Sequence, residues 1–283
     1  MRDSLEAVDG GLPRPGRRTV LRGLAGGFAV AATTAACEDA PKELGGSSVR
    51  VERGTVSGAG FTDAHWVLAR PQDDAKVPLV VALHGQGSHS GAIIGGGLRV
   101  EDVLAGLIDD GTAPFAVAAI DGGDNYWHPR DNGTDAGALV TDHLVPAVEE
   151  LDVTSSTVGL IGWSMGGYGS LRLAGTLGGD RVAAVAAVSP ALWHSYADVP
   201  DVAFDDEADF ERYGVTDRPE DLRGIPVRID CGTSDVFLGS AKRFADSLGS
   251  RVTTSYSPGA HTLAYWSTGV RSQLAWIAER LTG

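Results

Sequence analysis

From residue 49 onward the chain alternates short apolar runs with stretches of helical spacing. Leu79-Val80-Val81-Ala82-Leu83 and Val158-Gly159-Leu160-Ile161 carry no charged or strongly polar residue, as strands covered on both faces should. Val49–Val56, His65–Ala69, Val117–Ile120, Val182–Val188, Pro226–Cys231 and Thr253–Ser257 read as further strands. The first two join through Gly58-Ala59-Gly60, and Pro71 ends the second. Helical spacing appears at Ala136–Leu151, at 170–177 and at about Val270–Leu281. This alternation predicts an α/β fold, a mostly parallel central sheet with helices on both faces, as one domain over residues 49–283.

One stretch breaks the rhythm. Residues 191–224 separate two strands and carry the acidic run Asp205-Asp206-Glu207-Ala208-Asp209-Phe210-Glu211. They follow a strand C-terminus, the side on which α/β sheets bind ligands. A small lid over the site and a solvated surface excursion are both compatible with that pattern.

The first 48 residues have a different character. Arg17-Arg18-Thr19-Val20-Leu21-Arg22 resembles the twin-arginine export signal of bacteria, and residues 23–36 form a moderately apolar stretch of small residues. That stretch is too short for a comfortable membrane span. Residues 1–36 therefore read as a signal peptide for export of a folded protein to the cell envelope or beyond. Thr34-Ala35-Ala36-Cys37 resembles a lipobox, with Thr34 where that pattern usually has leucine. Lipidation at Cys37 and plain cleavage after Ala36 are the two expectations. Residues 37–48 are polar and turn-rich, suited to a flexible tether. With only two cysteines, a lipidated Cys37 leaves no intrachain disulfide, and Cys231, in an apolar strand, reads as a small buried residue.

The net charge of −14 argues against a nucleic acid or an anionic membrane held by charge. Membrane contact is expected only through the lipid. The histidines show no paired metal-ligand spacing and no phosphate-binding lysine loop is present, so no metal and no cofactor is expected. Gly95-Gly96-Gly97 lacks a preceding strand and is not read as a dinucleotide loop.

The chemistry concentrates at Gly162-Trp163-Ser164-Met165-Gly166-Gly167. Here a serine in G-x-S-x-G stands between a strand and a helix, where a strained turn would expose its hydroxyl at the helix N-terminus. A serine hydroxyl needs a base, and the base needs an orienting acid. In the chain order that goes with this turn the acid comes next and the histidine last. Asp235, just past the strand 226–231, is the expected acid; Asp217, Asp221 and Asp230 are the alternatives. His261 is the only histidine after it and is the expected base. The backbone N–H of Met165 is one oxyanion donor. The second comes from the loop His84-Gly85-Gln86-Gly87-Ser88, at Gln86 with Gly87 as the alternative, while His84 braces the loop. Trp127, in Asp121–Pro129, and Trp193 are candidate walls of an acyl or alcohol pocket.

These motifs resemble the α/β-hydrolase superfamily, and most of all its esterase branch. That branch includes esterase D (S-formylglutathione hydrolase), the feruloyl esterases and the antigen 85 mycolyltransferases. The resemblance spans about residues 65–280 and is carried by His84-Gly85-Gln86-Gly87, Gly162–Gly167, Gly232-Thr233-Ser234-Asp235, and Gly259-Ala260-His261 through Tyr265-Trp266. It implies an α/β-hydrolase fold and an exported serine esterase acting on a small-molecule or lipid ester through an acyl-enzyme. Acyl transfer to a sugar or lipid alcohol, as in antigen 85, is an alternative; antigen 85 uses glutamate where this chain has Asp235. A non-catalytic cell-surface binding module on the same fold is another.

Overall fold

The computed structural model describes residues 48–73 and 75–281. Arg17-Arg18, Cys37 and the tether up to residue 47 lie outside the described residues. The strands are β1 (Val49–Gly58), β2 (Phe61–Pro71), β3 (Val77–Leu83), β4 (Ala116–Ile120), β5 (Val153–Trp163), β6 (Val182–Val188), β7 (Val227–Gly232) and β8 (Val252–Ser257). The helices are α1 (Ser90–Ile93), α2 (Val100–Asp109), α3 (Ala136–Ala138), α4 (Val145–Glu149), α5 (Met165–Leu177), α6 (Glu207–Tyr213), α7 (Leu238–Leu248) and α8 (Leu263–Leu281).

The strands form one sheet in the order β1-β2-β4-β3-β5-β6-β7-β8. β1 pairs antiparallel with β2, and β2 with β4; every other pair is parallel. The expected mostly parallel sheet is thus present. Leu79–Leu83 and Ala116–Ile120 are buried at every position, because apolar clusters cover both faces of the sheet. From β3 the chain steps to β4 on one side, and then returns to lay β5 on the other side of β3. The loops after β3 and β5 therefore open into the same crevice at the C-terminal edge of the sheet, the usual place for a ligand in such a fold.

Two elements differ from the sequence expectation. The helix expected over Ala136–Leu151 is broken: α3 gives way to a wide π turn at Leu139–Leu144 before α4. Pro146 stands in the first turn of α4 and has no N–H to continue the ladder. The slip is visible at Val145, whose N–H donates to the carbonyl of Val140, five residues back. The last helix begins at Leu263 rather than near Val270. Its first turns carry Tyr265, Ser267, Thr268 and Gly269, and its buried stripe runs only from Val270 through Ala278. The apolar period marked that buried half alone.

The turn between β5 and α5 depends on close backbone approach. A Cβ on Gly166 would lie 2.0 Å from the carbonyl oxygen of Leu83 in β3, and one on Gly162 would lie 2.0 Å from the carbonyl oxygen of Gly166. Both obstacles are backbone atoms, which cannot rotate away. Gly166→Ala is therefore expected to destabilise the fold by ~3 kcal/mol, read as a lower denaturant midpoint at unchanged m-value.

Candidate active site

Ser164 sits between the last residue of β5 and the first of α5 with φ 55° and ψ −117°, outside the ordinary regions for a residue with a Cβ. The surroundings hold it there. Its N–H donates to the carbonyl of Val188 at 3.0 Å, and its carbonyl accepts from Tyr168 N–H at 3.1 Å and Ala191 N–H at 3.0 Å. The hydroxyl is left facing the loop between β8 and α8. There the Nε2 of His261 lies 2.8 Å from Ser164 Oγ. The Nδ1 of the same ring lies 3.0 Å from Oδ2 and 3.1 Å from Oδ1 of Asp235. A proton on Nδ1 donates to the carboxylate, which leaves Nε2 to accept from the serine hydroxyl. The structure thus brings together Ser164, Asp235 and His261. The alternative acids stand elsewhere: Asp230 is buried against Arg228 and Gln273, and Asp217 and Asp221 belong to the 191–224 segment.

Asp235 has a fully buried side chain. Burial alone would push its carboxyl up. Hydrogen bonds from His261 and from the N–H of Phe237 at 2.9 Å outweigh that penalty and hold it below the ordinary carboxylate value. Phe237 and Trp266 pack on either side of the imidazole, with ring centroids 5.2 Å and 5.0 Å away.

The loop after β3 presses against the serine turn. A Cβ on Gly85 would lie 3.2 Å from the carbonyl oxygen of Trp163 and 3.4 Å from Ser164 Cβ. Gly87 N–H is occupied, donating to Asp124 Oδ1 at 2.6 Å. The N–H groups of Gln86 and Met165 have no acceptor among the described residues. The Gln86 side-chain carbonyl accepts from Tyr126 Oη at 3.3 Å, and burial pushes that phenol up to about 12, so it stays a donor.

His84 does brace the loop. Its Nε2 accepts from Gly122 N–H at 3.1 Å while Nδ1 lies 2.8 Å from the carbonyl of Gly85. Together these fix the neutral Nδ1–H tautomer, and burial holds the imidazole below its ordinary value. The segment after β4 completes the brace, with Asp121 Oδ1 accepting from Ser90 N–H at 2.6 Å.

A cavity of about 290 Å³ opens beside Ser164 and His261. Its apolar wall is Ala92, Ile93, Leu98, Trp163, Leu263 and Trp266. Neither tryptophan expected as a pocket wall is there. Trp127 is 1% exposed; its indole N–H donates to the carbonyl of His84 at 3.3 Å, and Gly122 and Gly169 make room for its ring. It is core packing beneath the loop. Trp193 packs on Tyr126, Phe204 and Phe237, one ring away from His261 and outside the cavity wall. The residues that do form the wall were legible only in part. Trp266 comes five residues after the histidine, whereas Leu98 and Leu263 come from distant parts of the chain, with Gly97 leaving room for the Leu263 side chain, 2.4 Å from where a Cβ would stand.

The 191–224 segment does not line the cavity. Phe204 and Phe210 are buried and pack with Tyr126, Tyr168 and His128 into an aromatic layer beside α5. Asp206 caps α6 by accepting from Asp209 N–H at 2.7 Å. Arg130 ties the segment down through Asp205 at 2.7 Å.

A family model described as "Putative esterase" matches residues 65–276. Among solved structures, a ferulic acid esterase is 19% identical with a TM-score of 0.71, covering 82% of this chain and 99% of its own. An S-formylglutathione hydrolase from Agrobacterium tumefaciens is 19% identical with a TM-score of 0.71, covering 85% of this chain and 99% of its own. The feruloyl esterase module from Clostridium thermocellum, solved with sinapinate, is 17% identical with a TM-score of 0.60, covering 83% and 89%. These likenesses give the α/β-hydrolase fold. A search of curated protein sequences finds no match.

The lowered Asp235 carboxyl sets a direction for acid stability. A depressed carboxylate contributes stability that is present above its unfolded value, about 3.9, and is lost as pH falls through its folded value. The gap in unfolding free energy between wild type and Asp235→Asn should therefore be widest near pH 7 and should close below about pH 4, as measured by urea titration across that range.

Proposed function

The chain belongs to the Putative esterase family and is a carboxylic-ester hydrolase of the α/β-hydrolase fold, and we propose that it works through Ser164, His261 and Asp235 by way of an acyl-enzyme. The observation that carries this reading is the 2.8 Å contact between His261 Nε2 and Ser164 Oγ, on a ring whose other nitrogen faces a buried carboxylate. Ser164 Oγ attacks the ester carbonyl as its proton passes to His261 Nε2. Asp235 holds the tautomer and stabilises the imidazolium without taking the proton. The oxyanion of the tetrahedral intermediate is met by the N–H groups of Gln86 and Met165, at the positive end of α5. His261 then gives its proton to the leaving alcohol. A water deprotonated by the same nitrogen attacks the acyl-enzyme, and collapse of the second tetrahedral intermediate frees the acid and restores Ser164.

The apolar wall of Ile93, Leu98, Leu263 and Trp266 suits a hydrocarbon or aromatic portion of the substrate next to the scissile carbonyl. Intact-mass measurement after exposure to a fluorophosphonate should show one adduct on wild type and none on Ser164→Ala. The same variant should stay folded and lose about 10³-fold or more of its turnover on a panel of apolar acyl esters. An unlabelled, folded wild type would overturn the mechanism in favour of a binding-only role.

The reading includes export of the folded enzyme to the cell envelope, supported by Arg17-Arg18 ahead of an apolar stretch and by the short spacing to Cys37. Replacing Arg17 and Arg18 by lysine should hold the protein in the cytoplasm of a host that has the twin-arginine route, read by cell fractionation; an unchanged distribution would sink this part of the reading.

A further inference from the structure

A second cavity, of about 260 Å³, lies on the flank of α5 away from Ser164, between that helix and the 191–224 segment. Its size is near the lower end for small-molecule sites, which begin at about 300 Å³. In a chain of net charge −14 its walls carry three arginines, Arg172, Arg212 and Arg218, against one carboxylate, Asp221. Among the described residues none of the three guanidiniums has a carboxylate within ion-pair distance. Three like charges gathered on one concavity repel one another, and a bound anion would relieve that repulsion.

Two of the three are held in place rather than left to wander. Arg172 donates from Nη1 to the carbonyl of Trp127 at 3.2 Å and lies over the Tyr213 ring, 4.8 Å from its centroid. Arg218 donates to the carbonyls of Glu211 and Arg212 and so closes the C-terminal end of α6. Arg212 is exposed and reaches over the same Tyr213 ring at 5.9 Å. A guanidinium has five N–H donors. The contacts above use one on Arg172 and two on Arg218, so each arginine keeps donors for a ligand.

We propose that this cavity binds a phosphate group, carried by a small phosphate monoester or free in solution. The match is one of number and charge. Three guanidiniums line one cavity, and an oxyanion with three or more acceptor oxygens and about two negative charges can accept from all of them, whereas a carboxylate offers two oxygens and one charge. Asp221 supplies the acceptor that a phosphate O–H or a neighbouring hydroxyl would meet.

The test is a thermal-unfolding titration of the full chain at fixed ionic strength, with chloride exchanged for inorganic phosphate in one arm and for glycerol phosphate in the other. Binding to the native state should raise Tm in proportion to the logarithm of ligand concentration above Kd, by about 5 °C at a hundredfold excess over Kd. Arg212→Gln, which removes an exposed guanidinium that makes no fold contact beyond Tyr213, should weaken the affinity about tenfold. Arg172→Gln should weaken it similarly, with circular dichroism to check that it is folded. Tighter binding of glycerol phosphate would assign the site to a phosphate monoester, and equal binding to free phosphate. No response in either arm, or one linear in concentration, would overturn the proposal, and so would a wild-type titration curve in Arg212→Gln. Neither outcome bears on Ser164, so failure here is separable from failure of the hydrolase reading.

Discussion

Everything at the candidate active site depends on how closely three backbones meet under Ser164. The first turn of α5 touches the carbonyl end of β3 and the start of the loop beyond it, at a separation only Gly166 allows. That contact seats the serine turn directly against the loop after β3. The strained φ of 55° at Ser164 is held because Val188 in β6, Tyr168 in α5 and Ala191 just past β6 bind its backbone N–H and carbonyl. A strained residue at a functional turn persists when its surroundings over-determine it, and three hydrogen bonds on one residue do so here.

Electrostatic preorganisation then follows from burial. Asp235 is sealed from water, so it can be ionised only because donors surround it. His84 is sealed as well but has no buried anion in hydrogen-bonding contact. It stays neutral, and a neutral ring can accept from Gly122 on one side while donating on the other. The same logic runs through the aromatic layer. Burial pushes His128 down to about 3 and Asp209 up, and the two meet at 3.2 Å. Nδ1 of His128 lies 3.0 Å from the Tyr126 carbonyl, and Asp209 Oδ2 also accepts from the N–H of Asp205 at 3.0 Å.

Much of this was legible in the sequence, for a definite reason. Strands buried on both faces have no polar positions to confuse the pattern, so β3 and the second half of β5 stood out, and the residues just beyond their ends are the ones the fold collects into a site. Ser164 follows such a strand, whereas Asp235 follows β7, which carries Arg228 and Asp230, and His261 follows the half-exposed edge strand β8. What failed was inference from residue type without direction. Trp127 follows a strand end as those three do, but its ring turns inward beneath the loop, into space left by Gly122 and Gly169. Nothing local distinguishes an inward from an outward tryptophan. The cavity wall failed to show for the opposite reason. Leu98 and Leu263 are 165 positions apart, ordinary leucines that become a surface only when Gly97 lets α8 approach. The acidic run at 205–211 was ambiguous because charge describes only its outer face, while Phe204 and Phe210 anchor its inner one.

The inward Trp127 has a consequence that an exposed pocket wall would not. Its indole N–H holds the carbonyl of His84, the first residue of the oxyanion loop, while its own carbonyl accepts from Arg172 on the far flank of α5. Tyr168 adds a parallel tie from α5 to the carbonyl of Tyr213 at 2.8 Å. Arg172 and the loop beside Ser164 are therefore joined through one residue, by its backbone carbonyl on one side and its buried indole on the other. In a close-packed interior such a connection transmits position rather than absorbing it. A buried residue tied at both ends in this way holds the His84 carbonyl, at the start of the loop, in one place.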